Sequence, residues 1–201
     1  MLDDKLDYKI VNRRFYLKTI AFGGIASLTS FSIFKWIDVH RPVDPEYFWS
    51  KRDLIAELSE LIIPKTDTPG AKDAGVNVYI INVMIHCNPD KQQRRFISGL
   101  ENLEKYAIDH FGKNFLDCSN EVKIKVLEYF ANQAMFSNVF FLKVSNKLFS
   151  EPFYAKLRSL TIDGYCQSQL GATRGLAYDY IPGNFEACSI LKNNQKSWAT
   201  K

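Results

Sequence analysis

The chain has 201 residues, of which 46% are hydrophobic, 14% aromatic and 24% charged, enough apolar material for one packed core and too much for general disorder. Its formal net charge of +4 is spread along the sequence without a basic stripe, which argues against nucleic-acid binding. Cys87, Cys118, Cys166 and Cys188 form no C-x-x-C pair and His40, His86 and His110 are scattered, so zinc and iron–sulfur spacings are absent.

Residues 12–18 read Asn-Arg-Arg-Phe-Tyr-Leu-Lys, and an uncharged apolar run over residues 19–34 follows. This resembles a twin-arginine export signal. Arg13, Arg14, Leu17 and Lys18 fall on the pattern, and Tyr16 stands where Phe is more usual. The run is shorter than the roughly 20 residues that span a bilayer comfortably, and its phenylalanines and isoleucine leave no polar face, so a docked amphipathic helix is the poorer reading. No A-x-A site follows, so the segment is expected to stay attached and anchor the protein to a bacterial inner membrane on its periplasmic side. Residues 1–40 are thus read as a signal or anchor helix, and residues 44–201 as the folded domain.

Beyond residue 44 the text is helical. Ser50 is placed to cap a helix through Leu54, Ile55, Leu58, Leu61 and Ile62 that Pro64 stops. The polar stretch Thr66, Asp67, Thr68, Pro69, Gly70, Ala71, Lys72, Asp73, Ala74, Gly75 follows, with Pro69-Gly70 suited to a type II turn and Asp73 to capping the next helix. That helix is predicted from Val76 to Cys87, and Asn88-Pro89 opens a long amphipathic one through Phe96, Leu100, Leu103 and Ala107 to Gly112. Ser119 begins another, burying Val122, Val126, Leu127 and Phe130. The aromatic stretch 137–149 also reads as helix by length and flanks, and Pro152 starts a last one running to about Tyr165. Phe136, Phe140, Phe141, Phe149, Phe153 and Tyr154 are assigned to the core. The tail after Gly171 reads as loop. The fold class expected is all-α, a single compact bundle of about five or six helices with a loop-rich C-terminal tail.

No G-x-G-x-x-G, P-loop, C-x-x-C-H or H-E-x-x-H string occurs, so no catalytic, cofactor-binding or metal-binding residue is assigned in this chain. The 66–75 loop has two readings, a plain helix connector and a partner-docking loop on a rigid scaffold.

The string from Ile63 to Val76, Ile-Pro-Lys-Thr-Asp-Thr-Pro-Gly-Ala-Lys-Asp-Ala-Gly-Val, resembles the signature of the gluconate 2-dehydrogenase subunit 3 family. Phe96 with Gly99-Leu100, Phe111-Gly112-Lys113, Gly164-Tyr165, Gly171-Ala172-Thr173 and the closing stretch through Cys188 and Trp198 fit the same pattern. The resemblance implies a small, non-catalytic subunit paired with a large FAD-dependent dehydrogenase of the glucose-methanol-choline type that oxidises sugars or sugar acids. A cytochrome subunit carrying haem c commonly completes such complexes, and the small subunit's signal takes the large one through the twin-arginine translocase. The implied partner interface comprises Thr66, Asp67, Thr68, Pro69, Gly70, Lys72, Asp73, Tyr165, Gly171, Ala172, Thr173 and Arg174. Cys188, in a turn-rich tail, is the candidate for a disulfide, either to the partner or within the chain, with a free thiol as the third alternative. The competing function is an independent periplasmic enzyme or binding protein of similar fold.

Overall fold

A computed structural model describes residues 43–136, 151–181, 183, 188, 190 and 193–199. Arg13, Arg14, Tyr16, Leu17, Lys18 and the 19–34 run therefore lie outside the described residues, as does the predicted helix over 137–149 with Phe140, Phe141 and Phe149. The described residues are helical, with no strand among them. Six α-helices follow in order: α1 (Pro45–Ser50), α2 (Arg52–Ile62), α3 (Val76–Cys87), α4 (Asp90–Phe111), α5 (Asn120–Phe136) and α6 (Phe153–Gln167). A 3-10 turn, Phe115–Asp117, precedes α5, and a π turn, Gly171–Gly175, follows α6.

The helix α1 was not anticipated from the sequence. Asp44 caps it by accepting a 3.0 Å hydrogen bond from the Glu46 N–H, and Pro45 takes the first helical position, where its missing N–H costs nothing. One turn and a half is too short to show a period, so Asp-Pro is its only sequence mark. Phe48 drives it into the core against Phe96, while the Tyr47 hydroxyl donates to Glu101 at 2.8 Å and Lys51 pairs with Glu104 at 2.6 Å. Ser50 ends α1, its hydroxyl donating to Tyr47 O. It does not cap α2, whose N-cap is Lys51 with no side-chain bond.

The bounds of α3 and α4 agree with the sequence, and Gly112 ends α4 in the left-handed conformation, φ 67°. Asn88 acts backwards, however: its amide donates to Val83 O and ends α3, and Pro89 caps α4 without a side chain. Buried Gln93 donates to Ile85 O and Asn88 O, so the carbonyls left over at the end of α3 are met by side chains.

The core is one cluster formed by Phe48, Leu54, Ile55, Leu58, Ile80, Ile81, Met84, Phe96, Leu100, Leu103, Phe115, Val126 and Leu157 with their neighbours. Helix α6 lies against α2, α3, α4 and α5. Two glycines let it approach. A Cβ on Gly99 would collide with the Phe153 ring, and one on Gly164 would sit 2.6 Å from the Tyr79 ring. Phe153 in turn packs edge-on to Phe96 at 5.2 Å and to Phe130 at 6.3 Å; like Tyr154 it is half-buried, packing against the core from its edge where the sequence placed it inside.

Gly99→Leu should therefore push α6 off α4 and destabilise the protein by about 1–3 kcal/mol or more, the usual cost of overpacking. A lowered midpoint in denaturant titration with an unchanged slope checks it; an unchanged midpoint would show that α6 is not seated on Gly99.

Candidate docking surface

The loop 63–75 is short of regular structure yet held at almost every step. Helix α2 stops at Ile62, and the Glu60 carboxylate, still on the last turn, reaches across the loop. Its Oε1 accepts from the Lys65 N–H at 2.9 Å and its Oε2 from the Lys72 N–H at 2.8 Å. Gly70 lies directly over this carboxylate, and a Cβ there would collide with it. That contact is what Gly70 is needed for. The type II turn expected at Pro69-Gly70 does not form, since it requires a positive φ at Gly70 and only Gly75 and Gly112 among the described glycines have one.

Backbone bonds finish the frame: Ala71 N–H donates to Ile63 O at 3.0 Å, Thr66 N–H to Thr68 O at 3.1 Å, and Ala74 N–H to Gly70 O at 3.1 Å. Ala71 is buried and anchors the loop in the core. Asp73 does not cap α3. The N-cap is Gly75, φ 67°, and Asp73 pairs instead with Lys65 at 2.9 Å, an arrangement that holds the Asp73 carboxyl below the usual range.

From beneath, Tyr165 on α6 donates from its hydroxyl to Pro69 O at 2.8 Å. The same ring touches the π turn, because a Cβ on Gly175 would sit 2.8 Å from its Cε1. The turn itself is tied to α6 through Ser168, whose hydroxyl donates to Tyr165 O and accepts from the Gly171 N–H at 2.9 Å. A side chain at Gly171 would strike Tyr165 O. The loop and the Gly171–Gly175 turn, far apart in sequence, are thus joined through one tyrosine.

The residues singled out from sequence divide accordingly. Thr66, Asp67, Lys72, Asp73, Thr173 and Arg174 are exposed, and Thr68, Pro69 and Ala172 half-buried, so these can meet another molecule. Tyr165, Gly70 and Gly171 are buried and position the others. Glu57, Glu60 and Lys123 were not anticipated. Glu57 binds Lys72 of the loop and Lys123 of α5, the latter at 2.7 Å with only 9% of the lysine side chain exposed. Burial raises the Glu57 carboxyl, and the bonds from Lys123 and Lys72 outweigh it and set it below the ordinary value. No spacing rule could have found this set, because its members lie on α2, the loop and α5.

All four cysteines carry free thiols: Cys118 buried, Cys166 half-buried, Cys87 and Cys188 exposed. Cys87 is the last residue of α3, as the predicted helix bounds had it. No described helix is long and apolar enough to cross a membrane. Elsewhere a groove of about 840 Å³ opens between α4, α5 and α6, with Arg95, whose charge burial disfavours, on its wall.

The family profile for gluconate 2-dehydrogenase subunit 3 matches residues 50–183, which include the loop, Tyr165 and the π turn. The chain belongs to the gluconate 2-dehydrogenase subunit 3 family. The family is named for a component of a dehydrogenase complex, so membership carries the coarse role of this protein, an accessory subunit of a multi-subunit dehydrogenase. The match ends at Gly183, short of Cys188 and Trp198. Comparison with curated proteins and with solved structures found no match.

Two outcomes follow. Glu57→Gln should strand a nearly buried Lys123 and cost about 2–3 kcal/mol, below the full penalty for a buried pair because Glu57 is partly solvated. Because the folded Glu57 pKa is depressed, the stability it contributes is present above its unfolded value and lost as pH falls through the folded one. The stability difference between wild type and Glu57→Gln, followed by denaturation from neutral to acidic pH, should therefore narrow on acidification, and a constant difference would refute the assignment. Tyr165→Phe should cost about 1 kcal/mol and speed hydrogen exchange of the Thr66, Ala71 and Lys72 amides more than those of α4; uniform acceleration would mean that Tyr165 does not brace the loop.

Proposed function

We propose that this protein is the non-catalytic small subunit of an exported FAD-dependent dehydrogenase, which it binds, stabilises and escorts. The observation that carries this reading is the braced loop. A polar connector clamped by Glu60, Glu57 and Tyr165 pays little entropy on docking, and recognition commonly sits on loops held by a rigid scaffold. In a family of dehydrogenase subunits, a preformed exposed loop fits a binding role.

The catalytic partner on this reading is a large glucose-methanol-choline-type flavoprotein that carries FAD and oxidises a sugar or sugar acid, with a haem c cytochrome as a third subunit. The twin-arginine string supports the escort part: a route for folded cargo, signalled on a small accessory chain, suits a cofactor-loaded passenger. Arg13 and Arg14 are the recognition pair, Tyr16, Leu17 and Lys18 complete the signal, and the apolar run anchors the complex at the periplasmic side of the inner membrane. Cys188, exposed and free within the chain, is available for a bond to the partner in that oxidising compartment.

Replacing Arg13 and Arg14 together by Lys should leave this chain and its flavoprotein in the cytoplasm. Fractionation of cells expressing the complex checks it, with dehydrogenase activity and flavin absorbance followed together. Undiminished periplasmic activity would sink the escort role, and substrate turnover by the purified small chain alone would favour the independent enzyme.

A further inference from the structure

At the opposite end of α6 from Tyr165, the groove between α4, α5 and α6 holds a charge that the described chain leaves unmatched. Arg95 lies half-buried on its wall, and burial pushes its guanidinium below the ordinary value. Among the described residues it makes no hydrogen bond or ion pair. Arginine keeps its proton, so it cannot shed the cost by becoming neutral. Other enclosed cations of this fold are matched, Lys51 by Glu104 at 2.6 Å and Lys123 by Glu57 at 2.7 Å. Glu151 and Lys156 line a small recess beside Arg95, but Glu151 forms no ion pair with it, and the two charges offset each other. A partly desolvated, unmatched charge costs folding free energy, and such groups gather at sites where a ligand or partner completes them.

The side chains around Arg95 are already in place for contact. Phe130 and Phe153, edge-on at 6.3 Å, give the groove apolar faces. Beside them Tyr129 is 40% exposed, its ring stacked on Tyr106 at 4.3 Å and its hydroxyl accepting from the Gln133 amide at 2.8 Å. A tyrosine fixed by two contacts offers a large surface with little side-chain freedom left to lose, and arginine and tyrosine dominate the strongest positions of protein interfaces. Ser98, Asn102 and Asn132, all exposed, add groups that hydrogen-bond a main chain.

We propose that this groove receives a carboxylate-bearing segment of the flavoprotein subunit, whose acidic side chain pairs with Arg95 while its neighbours pack on Tyr129, Phe130 and Phe153. The proposal rests on the accessory-subunit reading and adds a second point of contact, separate from the 63–75 loop, together with its chemistry. Charge complementarity selects the occupant, since a guanidinium short of water takes a carboxylate in a two-pronged, charge-assisted pair. The stretch 137–150, between α5 and α6 in sequence, carries Lys143 and Lys147 and no acid, so it does not supply the missing charge. A small free acid fits the shape poorly: small-ligand sites enclose most of the ligand, whereas Ser98, Asn102, Asn132 and Gln133 around this groove are exposed. The family name implies another subunit to bring the acid.

The test uses the full-length tagged chain co-produced with its complex in the native host, as wild type, Arg95→Gln and Arg95→Lys. Capture of flavin and dehydrogenase activity is measured on the complex, and denaturation midpoints on the purified chain. Arg95→Gln is expected to leave the midpoint of the isolated chain unchanged or raised, because it removes an unmatched charge, while capture falls at least about tenfold, a difference of 1.4 kcal/mol or more. Arg95→Lys, which keeps the charge and loses the fork, should fall between the two. Opposite effects on the free chain and on the complex are what a purely structural arginine would not give. A lowered midpoint or failure to fold in Arg95→Gln shows that Arg95 is paired within this chain and overturns the proposal. Capture by Arg95→Gln within about twofold of wild type overturns the groove while leaving the accessory role standing, and a wild-type chain that brings down no flavoprotein overturns both. Two arms cover the other occupants. Gluconate that raises the midpoint of wild type but not of Arg95→Gln, with capture unchanged, assigns the groove to a free acid; a dimer seen by light scattering that Arg95→Gln alone dissolves, with capture unchanged, assigns it to a second copy. Either result overturns the proposal.

Discussion

Helix α6 touches every other long described helix, and it can do so because glycine stands where it crosses α4 and where α3 crosses it. With no Cβ at Gly99, the Phe153 ring drops onto the backbone of α4, reaching Phe96 and Phe130 at once. With none at Gly164, the Tyr79 ring of α3 packs close against α6. Interiors are packed so closely that one added carbon is felt, so these contacts set the separation of three helices. The placement of Tyr165, one residue after Gly164, follows from that separation, and the surface features depend on Tyr165.

The polar parts of the protein are arranged around the same frame. Ser59 and Thr161, both buried, donate their hydroxyls to the carbonyls one turn back, and no buried side-chain nitrogen or oxygen among the described residues lacks a partner. The Glu57 carboxylate is shared between the loop and α5. Its loss would leave the nearly buried Lys123 charge with little water to solvate it, whereas Lys72 is open to solvent. By contrast the Lys65–Asp73 pair is open to solvent, and it shapes the loop surface more than it stabilises the fold.

A loop braced on three sides has a physical property that matters for association. Ordering a flexible segment on binding consumes part of the interaction energy, whereas a segment already in place keeps it. Here the ordering of the loop is supplied by Glu60, Glu57 and Tyr165, all within this chain. The exposed threonine, lysine and aspartate side chains of the loop give it a polar, hydrogen-bonding chemistry.

The sequence by itself determined the all-α class, the bounds of α3 and α4, the end of α4 at Gly112 and the family signature from Ile63 to Val76. These are local properties: helical period, proline and glycine punctuation, and a contiguous string can all be read along the chain. The tertiary structure alone decided that Ser50 ends a helix instead of starting one, that Asn88 closes α3 instead of opening α4, and that Asp73 pairs with Lys65. Each of these side chains could bond in either direction, and the choice was made by where neighbouring helices put the free carbonyls and charges. The same holds for the candidate surface. The loop was legible as a polar stretch, but Glu60 beneath Gly70, Lys123 behind Glu57 and Tyr165 under Pro69 come from separate helices. Their meeting depends on the packing of α6, which no one-dimensional pattern contains.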